Sequence, residues 1–444
     1  MSLREIPKKF TQILRKNGAE DVVSLLLVED VRTIRYANNQ PTTIYNINRS
    51  ELDVYVGFSK RVFVGGLEDL SDQALENFAE RIMTSIKYSK QSEEYAPLPS
   101  GTFKYRPKPR PDKRLLNLDD KELVGFVERV INTSLEYGAK RNAGILNLKR
   151  FKIFLNTSTG IETFDDIWRI ELSNRAFADS DVTGHWVSCA SSIDNFNPEE
   201  VGKISAELAK MSMNARSIEP GKYDTLFGPM IFANLVSDYG SAASAFAVDS
   251  GFSFFANKIG QKVASDIFTL IDDGTLESPV ITRRFDDEGL PTRKNVIVED
   301  GVLKTYLHNT KTGMKYKTNS TSNAGWISPH AWSFIVKPGD LREEEAIKEM
   351  KKGVYVTNSW YHRYQNYIQG DFSAILRDAA FYVENGEIKY PIRGLRLSDN
   401  MLRIFSNIQA LGNKQHTILW WEVQTPTLVP VAIVKDVNYT KSVK

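Results

Sequence analysis

Two hairpin signals in the second half of the chain restrict its fold more than any other feature. Strand-forming residues flank a short turn in each signal, with Glu299-Asp300-Gly301 between 296–298 and 302–306, and Glu384-Asn385-Gly386 between 381–383 and 387–390. Asp-Gly and Asn-Gly supply the positive φ angles that tight hairpin turns need. Because turn signals are also dense from residue 222 onward, we predict a strand-rich C-terminal domain over residues 218–444.

The first half of the chain mixes helical and strand patterns. Apolar residues at helical spacing predict an opening helix, followed by the strand-like runs 22–28 and 31–36 and a second helix capped by Ser71. These elements form a predicted α/β module over residues 1–98, and a second α/β module is predicted over 115–217. The expected fold class is α+β, with mixed helix/strand N-terminal modules followed by the strand-rich C-terminal domain.

The segment 99–114 separates the two N-terminal modules. It is rich in proline and basic residues between Lys104 and Pro111. Alternating prolines favour an extended, polyproline-like chain. No aromatic platform or recognition helix accompanies the basic residues, so we interpret the segment as a solvated linker and not as a nucleic-acid site.

Composition limits the classes of partner. The 444 residues carry 57 basic and 55 acidic side chains, so the net charge of +2 creates no overall attraction to nucleic acid or to an anionic membrane. The single cysteine, Cys189, excludes an intramolecular disulfide and a multi-thiolate metal site. No apolar run approaches the roughly 20 residues that cross a bilayer. We expect a cytoplasmic protein that does not enter membranes.

Local motifs for catalysis are scarce. The five histidines, at positions 185, 308, 330, 362 and 416, include no pair at the one-turn helical spacing of a metal site. Glycine-rich phosphate loops and the Gly-x-Ser-x-Gly elbow are missing from the sequence. Cys189 fits a buried structural residue better than a nucleophile. The run Asp286-Asp287-Glu288-Gly289 could hold a hard cation or act as acid and base, but a solvated turn before the hairpin is the favoured interpretation.

Several short segments carry a resemblance to a known family. They span about residues 30–430 and comprise Arg35-Tyr36-Ala37-Asn38-Asn39, Asn156-Thr157-Ser158-Thr159-Gly160, Phe285-Asp286-Asp287-Glu288-Gly289-Leu290-Pro291-Thr292, Ser322-Asn323-Ala324-Gly325, Gly370-Asp371-Phe372-Ser373 and the hairpin at 384–388. In order and spacing they resemble the TldD/PmbA family, which is also labelled peptidase U62-like or modulator of DNA gyrase.

The resemblance implies where a zinc site would lie. Peptidase members carry His-Glu-x-x-x-His on a helix just upstream of the region matched by residues 253–274, and the two histidines with a distant cysteine hold zinc. Counted without a gap, the motif falls on residues 236–241. Val236 and Ser241 stand at the histidine positions and Ser237 at the glutamate position. No histidine or glutamate occurs between Asp224 and Thr275, so a shifted alignment does not restore the motif.

The cysteine ligand is also missing near the C-terminus. Residues 412–427 contain no cysteine, and His416 in that segment is interpreted as structural or as a group offered across an interface. Such losses are the pattern of the PmbA-like or TldE-like branch. The resemblance therefore implies no catalytic or metal-binding residue in this chain, and zinc in a TldD-like partner subunit.

Three functions remain open. The leading hypothesis is a non-catalytic, metal-free subunit of a TldD/PmbA-type metallopeptidase complex that acts on peptides or unfolded segments, as a heterodimer or higher assembly and with a possible homodimer when alone. An autonomous non-zinc hydrolase that uses Asp238, Asp286, Asp287 or Glu288 is the second. A regulatory or binding protein is the third, and direct nucleic-acid binding is disfavoured by the balanced charge.

Overall fold

A six-stranded antiparallel sheet occupies the N-terminal half of the computed structural model, which describes residues 2–442. Its order is β3-β2-β1-β4-β5-β6. The strands are β1 (Asp21–Ala37), β2 (Gln40–Phe58), β3 (Arg61–Leu67), β4 (Arg141–Thr157), β5 (Glu162–Asp179) and β6 (Val182–Ala190). Because β1 pairs with β4, for example at Leu26 and Phe154, the two predicted N-terminal modules contribute to one continuous sheet.

Helices cover one face of this sheet. They are α1 (Glu5–Lys16), α2 (Asp72–Ile86), α3 (Lys113–Asn117), α4 (Asp120–Glu136) and α5 (Pro198–Met211). Phe10 of α1 stacks on Phe78 of α2 with ring centroids 5.8 Å apart. The predicted cap of the second helix is confirmed, since Ser71 accepts a hydrogen bond from the Ala74 amide, and Asn197 caps α5 in the same way by accepting one from the Glu200 amide. Such caps satisfy backbone donors that the first helical turn leaves free.

The C-terminal half contains two further sheets. One has the order β11-β10-β9-β12-β19-β18 and the other β13-β8-β20-β16-β14-β15-β7, with β17 paired to β20. The strands are β7 (Arg216–Ser217), β8 (Gly221–Phe227), β9 (Leu270–Asp273), β10 (Lys294–Glu299), β11 (Val302–Leu303), β12 (Phe334–Val336), β13 (Lys352–Asn366), β14 (Asp371–Glu384), β15 (Glu387–Arg393), β16 (Leu395–Asn400), β17 (Ile408–Leu411), β18 (His416–Trp420), β19 (Val423–Val429) and β20 (Ala432–Lys441).

Both predicted hairpins are present. Glu299 pairs with Val302 around Asp300, whose φ is 47°, and Glu384 pairs with Glu387 around Asn385, whose φ is 54°. The positive φ values are those that short hairpin turns require. The remaining helices are α6 (Pro229–Ser241), α7 (Ala245–Asp249), α8 (Thr310–Lys315) and α9 (Met401–Ser406).

The predicted α+β class is confirmed, with 22% helix and 42% strand and a strand-rich C-terminal region. Two ion pairs, each with a buried carboxylate, connect the halves. Arg284 donates its backbone amide to Asp165 Oδ2 at 2.8 Å and forms a side-chain ion pair with the same carboxylate. Arg175 Nε lies 2.8 Å from Asp378 Oδ1, where Asp378 is 1% exposed. The domain boundaries at residues 98, 114 and 217 stay a prediction.

The proline-rich segment is not a free linker. It carries no helix or strand before Lys113, but its side chains contact the C-terminal half. Tyr105 donates to the Gly289 carbonyl at 2.7 Å, and Arg106 donates to the Thr282 carbonyl at 2.6 Å. The expectation of a solvated linker is therefore wrong at Tyr105 and Arg106, which bond to the fold, whereas Lys104, Lys108 and Arg110 are exposed. No helix within residues 2–442 is long and apolar enough to cross a membrane.

Candidate functional site

Helix α6 contains the positions at which the resemblance places the zinc motif. Gly228 precedes the helix and Pro229 occupies its first turn, where the missing amide proton costs no hydrogen bond. Most of its side chains are buried, and Val236 is 0% exposed. Ser237 is half-buried and Ser241 exposed. The helix is fixed in the core, since Tyr239 donates to the Val263 carbonyl at 2.9 Å.

A hydrogen-bonded chain of three side chains links α6 to β13. His362 Nδ1 lies 2.8 Å from Asp238 Oδ2, and His362 Nε2 lies 2.7 Å from Ser359 Oγ. A carboxylate only accepts, so Nδ1–H donates to Asp238, and in the neutral imidazole Nε2 then accepts from the Ser359 hydroxyl. This is the order of groups in a Ser-His-Asp triad.

The burial of Ser359 argues against a nucleophilic role for its hydroxyl. Ser359 is 0% exposed, and its carbonyl accepts a hydrogen bond from Asn234 Nδ2 at 2.8 Å. The solvent-accessible end is Asp238, whose side chain is 33% exposed. A nucleophile must reach a substrate carbonyl. Ser359 lies on the buried side of the His362 imidazole, where its hydroxyl is not exposed to a substrate. The arrangement instead ties α6 to β13.

The side chains around α6 do not fit a zinc ion. Val236 offers no donor atom, and both ring nitrogens of His362 already have partners within the fold. In the part of the chain that the structure describes, no group of three His, Cys, Asp or Glu side chains is placed to hold a metal. Catalytic zinc needs three protein ligands and an open position. The residues around α6 therefore supply no site for zinc chemistry.

The turn at 286–289 is buried and not solvated, contrary to the favoured interpretation of the sequence. Asp286, 0% exposed, accepts from the amides of Glu288 and Leu290 at 3.0 and 2.8 Å and from the Ala324 amide at 3.2 Å. Burial, aided by the charge of Glu288, raises the pKa of Asp286 well above its ordinary value. Gly289 has a φ of +84°, and a Cβ there would lie 2.9 Å from Ile161.

The two other carboxylates of this turn have different partners. Asp287 Oδ1 lies 2.8 Å from Arg283. Glu288 accepts a hydrogen bond from the Thr310 amide at 3.0 Å, at the first residue of α8. Burial raises the pKa of Glu288 to about 7. Asp238 bonds to His362 instead, so the structure does not bring the four candidate carboxylates of the hydrolase hypothesis into one hydrogen-bonded cluster.

Asn323 belongs to a buried polar network. Its Nδ2 donates to Asp272 Oδ2 at 2.7 Å, and its Oδ1 accepts from Asn295 Nδ2 at 3.1 Å. The other oxygen of Asp272 accepts from the amides of Trp332 and Ser333 at 2.7 and 3.1 Å. Burial raises the pKa of Asp272 to about 6 despite these hydrogen bonds. The network fastens the loop before β12 to β9 and β10.

The Gly370-Asp371-Phe372-Ser373 motif forms the turn into β14. Gly370 has a φ of +85°. Asp371 accepts from Asn400 Nδ2 at 2.8 Å, and Ser373 accepts from Arg396 at 2.7 Å. Phe372 is 0% exposed and its ring centroid lies 5.9 Å from that of His362. This motif therefore supports the imidazole that binds Asp238.

The remaining candidate residues have structural partners. Cys189 is 4% exposed beside Val280 and Leu419, and burial raises the pKa of its thiol to about 12, which agrees with the structural interpretation. His416 Nε2 lies 2.8 Å from Glu343 Oε2. The sequence reasoning missed the role of His362, because 124 residues separate it from Asp238 and no local spacing reveals the contact.

Comparison with known proteins gives relatives along most of the chain. A metalloprotease of Methanocaldococcus jannaschii is 31% identical over 209 residues, which are 45% of this chain and 45% of that protein. A metalloprotease PmbA homologue of Haemophilus influenzae is 23% identical over 427 residues, or 93% of this chain and 91% of the relative. The chain thus spans about half the length of the first relative and nearly all of the second.

Solved structures show the same fold. The crystal structure of TldE from Thermococcus kodakarensis superposes with a TM-score of 0.87 at 19% identity, covering 98% of this chain and 100% of that one. The family model described as the PmbA/TldA metallopeptidase C-terminal domain matches residues 220–441, which are half of the chain. On this match, the chain belongs to the PmbA/TldD family.

Proposed function

We propose that this chain is the metal-free, non-catalytic subunit of a cytoplasmic TldD/PmbA-type metallopeptidase assembly that cleaves peptides or unfolded segments. The observation that carries the proposal is the chemistry of α6. Val236 is buried among apolar side chains at one expected histidine position, Ser241 stands at the other, and Ser237 stands at the glutamate position. Zinc would then be supplied by a TldD-like partner subunit.

An exposed apolar surface supports subunit contact. The turn between β13 and β14 presents Tyr367 and Ile368, which are 47% and 64% exposed, and Phe252 beside them is 57% exposed. The rings of Phe252 and Tyr367 lie 5.5 Å apart, so they form one patch. Contiguous exposed apolar groups of this kind are typical of protein–protein contacts. In the proposal this patch faces the partner subunit or, in the isolated chain, a second copy.

The proposal is tested by native mass spectrometry of the chain alone and after mixing with a zinc-bearing TldD-like relative from the same cell. We expect a zinc-free chain, a defined mixed oligomer, and peptide cleavage that requires both proteins. Ile368→Ser should weaken the mixed oligomer at least tenfold if about 1.4 kcal/mol of apolar burial is lost. Ile44→Ser is the matched control, since Ile44 is 49% exposed and lies on strand β2 of the N-terminal sheet.

Three results would contradict the subunit proposal. A stoichiometric metal ion in the isolated chain would overturn the assignment of zinc to the partner. Peptide cleavage by the isolated chain that disappears in Asp238→Ala would instead establish the autonomous hydrolase. Failure to form any mixed oligomer, with cleavage by the partner unchanged, would leave the regulatory or binding function as the better description.

A further inference from the structure

A cavity of about 420 Å³ lies between the N-terminal sheet and the C-terminal half. Its floor consists of side chains of β4 and β5, and its opposite wall contains Leu419, Trp420 and Trp421 at the end of β18. We call this cavity the tryptophan pocket. Its volume lies within the roughly 300–1,000 Å³ of sites for drug-sized ligands, so a small molecule or the end of a peptide fits it.

Three cross-strand pairs form the floor of the tryptophan pocket. In order along the strands, the pairs are Lys149 with Arg169, Asn147 with Glu171, and Ile145 with Ser173. The intervening residues Leu146 and Leu148 belong to the core under the helices, so the floor is the other face of the sheet. Strand residues are about 3.3 Å apart, which puts the first and last pairs roughly 13 Å from each other.

Positive charge exceeds negative charge at the first pair. Among residues 2–442, Glu171 is the only acidic side chain that lines the pocket. Lys149 Nζ lies 2.8 Å from Glu171 Oε2, and Arg169 Nε pairs with Oε1. Burial alone would raise the pKa of Glu171, but the two cations keep it below its ordinary value, so the carboxylate stays ionised. One carboxylate balances only one of the two cations, and an anion is therefore attracted to this end.

Both cations have N–H groups to spare. A guanidinium has five N–H donors and an ammonium has three. Within residues 2–442, Arg169 donates a hydrogen bond through Nε alone, and its two terminal nitrogens remain accessible to solvent. The ammonium of Lys149 contacts one carboxylate oxygen. A ligand anion can therefore bind the remaining donors while both pairs with Glu171 stay intact.

Ser173 supplies a donor at the other end of the floor. Asn358 Nδ2 donates to His185 Nδ1 at 3.0 Å, so Nε2 of the neutral imidazole carries the proton and donates to Ser173 Oγ at 2.8 Å. The hydroxyl proton of Ser173 is then available to an acceptor. Asn147 Nδ2 is available as well, because Asn147 accepts from Thr33 through its Oδ1. Donors thus line the floor along its length, which selects a ligand with several acceptors.

The end of the pocket near Ser173 is aromatic. Trp420 is held in place, since its ring centroid lies 4.7 Å from that of His185 and its Nε1 donates to Asn234 Oδ1 at 3.3 Å. Trp421 packs on Trp420 with ring centroids 5.4 Å apart, yet it is 51% exposed. Covering an exposed indole with apolar atoms is favourable. The pocket is therefore cationic at one end and aromatic at the other.

We propose that the tryptophan pocket binds an apolar carboxylate, with the carboxylate at Arg169 and Lys149 and the apolar part against Trp421. A carboxylate accepts paired hydrogen bonds from a guanidinium, and such charge-assisted bonds are stronger than neutral ones. The same chemistry occurs at the carboxyl end of an apolar peptide and in a free aromatic acid. The inference stands apart from the proposed subunit function, because it concerns the isolated chain and needs no zinc.

Isothermal titration calorimetry of the full chain with 4-phenylbutyrate, and with 4-phenylbutanol as the uncharged equivalent, tests this site. The acid should bind at least about tenfold more tightly than the alcohol, because only the acid forms charge-assisted hydrogen bonds. Arg169→Gln should reduce binding of the acid toward that of the alcohol, since it removes the excess positive charge. Trp421→Ala should weaken both ligands and, as a change at an exposed residue, tests the site independently of the ion pairs.

The chain offers a matched control for each variant. Arg141→Gln removes an arginine that lies on β4 outside the pocket and over an aromatic ring, as Arg169 does. Tyr88→Ala removes an aromatic side chain that is 88% exposed and also lies outside the pocket. Both controls should bind 4-phenylbutyrate as the wild type does.

Two peptides distinguish the sources of the carboxylate. N-acetyl-phenylalanyl-alanine has a free carboxyl end, and its C-terminal amide has none. Tighter binding of the free peptide than of 4-phenylbutyrate, with no binding of the amide, identifies a peptide carboxyl end. Binding of 4-phenylbutyrate alone identifies a free aromatic acid. The proposal is overturned if 4-phenylbutyrate does not bind or binds no better than 4-phenylbutanol. It is equally overturned if Arg169→Gln and Trp421→Ala leave its affinity unchanged, because the acid then binds elsewhere.

Discussion

His362 Nδ1 donates to Asp238 Oδ2 across 2.8 Å, connecting strand β13 to helix α6 at the position of the family's zinc motif. The neighbouring motif residue Phe372 packs against the same imidazole. Sequence segments that are distant along the chain thus meet around one side chain. In this chain the contact connects β13 to α6 by a hydrogen bond that involves no metal.

This contact predicts a measurable loss of stability. Asp238→Ala should lower the free energy of unfolding by about 1 kcal/mol, because it removes one hydrogen bond from the imidazole at a partly exposed position. Urea unfolding measures the change. Asp266→Ala is the control, since the Asp266 side chain is 77% exposed in its pair with Lys262 and should contribute almost nothing. Equal effects of the two substitutions would show that the Asp238–His362 contact has no structural role.

Asp272→Asn should be more damaging. The carboxylate accepts from two backbone amides and from Asn323 and Asn295. The side-chain NH₂ of an asparagine at this position would therefore point at N–H groups that need an acceptor. We expect a loss of about 2 kcal/mol or more in the free energy of unfolding, because buried donors lose their acceptor. Asp340→Asn, at an exposed position, should be neutral. A stability of Asp272→Asn equal to wild type would show that the network tolerates an amide.

His185 predicts a pH dependence. The side chain is 3% exposed between Ser173 and Asn358, and burial lowers the pKa of His185 to about 4 from an ordinary value of 6.5. Between these two pH values the unfolded chain binds a proton that the folded chain does not. The stability contributed by the buried, neutral His185 is therefore present above pH 6.5 and is lost as the pH falls toward 4.

The size of this effect follows from the shift. A difference of about 2.5 pKa units corresponds to about 3 kcal/mol, so wild type should lose that much more stability than His185→Gln on acidification from pH 7 to 4. Urea unfolding at several pH values measures the difference. The comparison isolates His185 from two other groups. Asp272 and Glu288 have raised pKa values, so as the pH falls they bind protons in the folded state first and stabilise it over part of the same acid range. Parallel curves for the two proteins would contradict a neutral, buried His185.

Local chemistry predicted much of the fold. Asp300 and Asn385 predicted two hairpins, and Ser71 predicted the start of a helix, because turns and caps depend on a few adjacent residues. The burial of Asp286 was not predictable in this way. It depends on the packing of Gly289 against Ile161, a strand residue that is distant in sequence. The candidate site was located from the resemblance, but its contacts arise only when β13 folds against α6.

Restoring the histidines and glutamate of the family motif should not create a zinc site in this chain. In the triple variant Val236→His, Ser237→Glu, Ser241→His, the imidazole at 236 would enter a position that is 0% exposed and shaped for valine. Overpacking of this kind costs about 1–3 kcal/mol, and the family's third ligand, a cysteine, is still missing from residues 412–427. We therefore expect much less than one zinc per chain by elemental mass spectrometry after dialysis against zinc. The double variant without the change at Val236 is the control that separates damage to the fold from loss of ligands. Stoichiometric zinc in the triple variant would show that α6 retains a metal-binding geometry, and that only the identity of three side chains separates this chain from a metal-binding one.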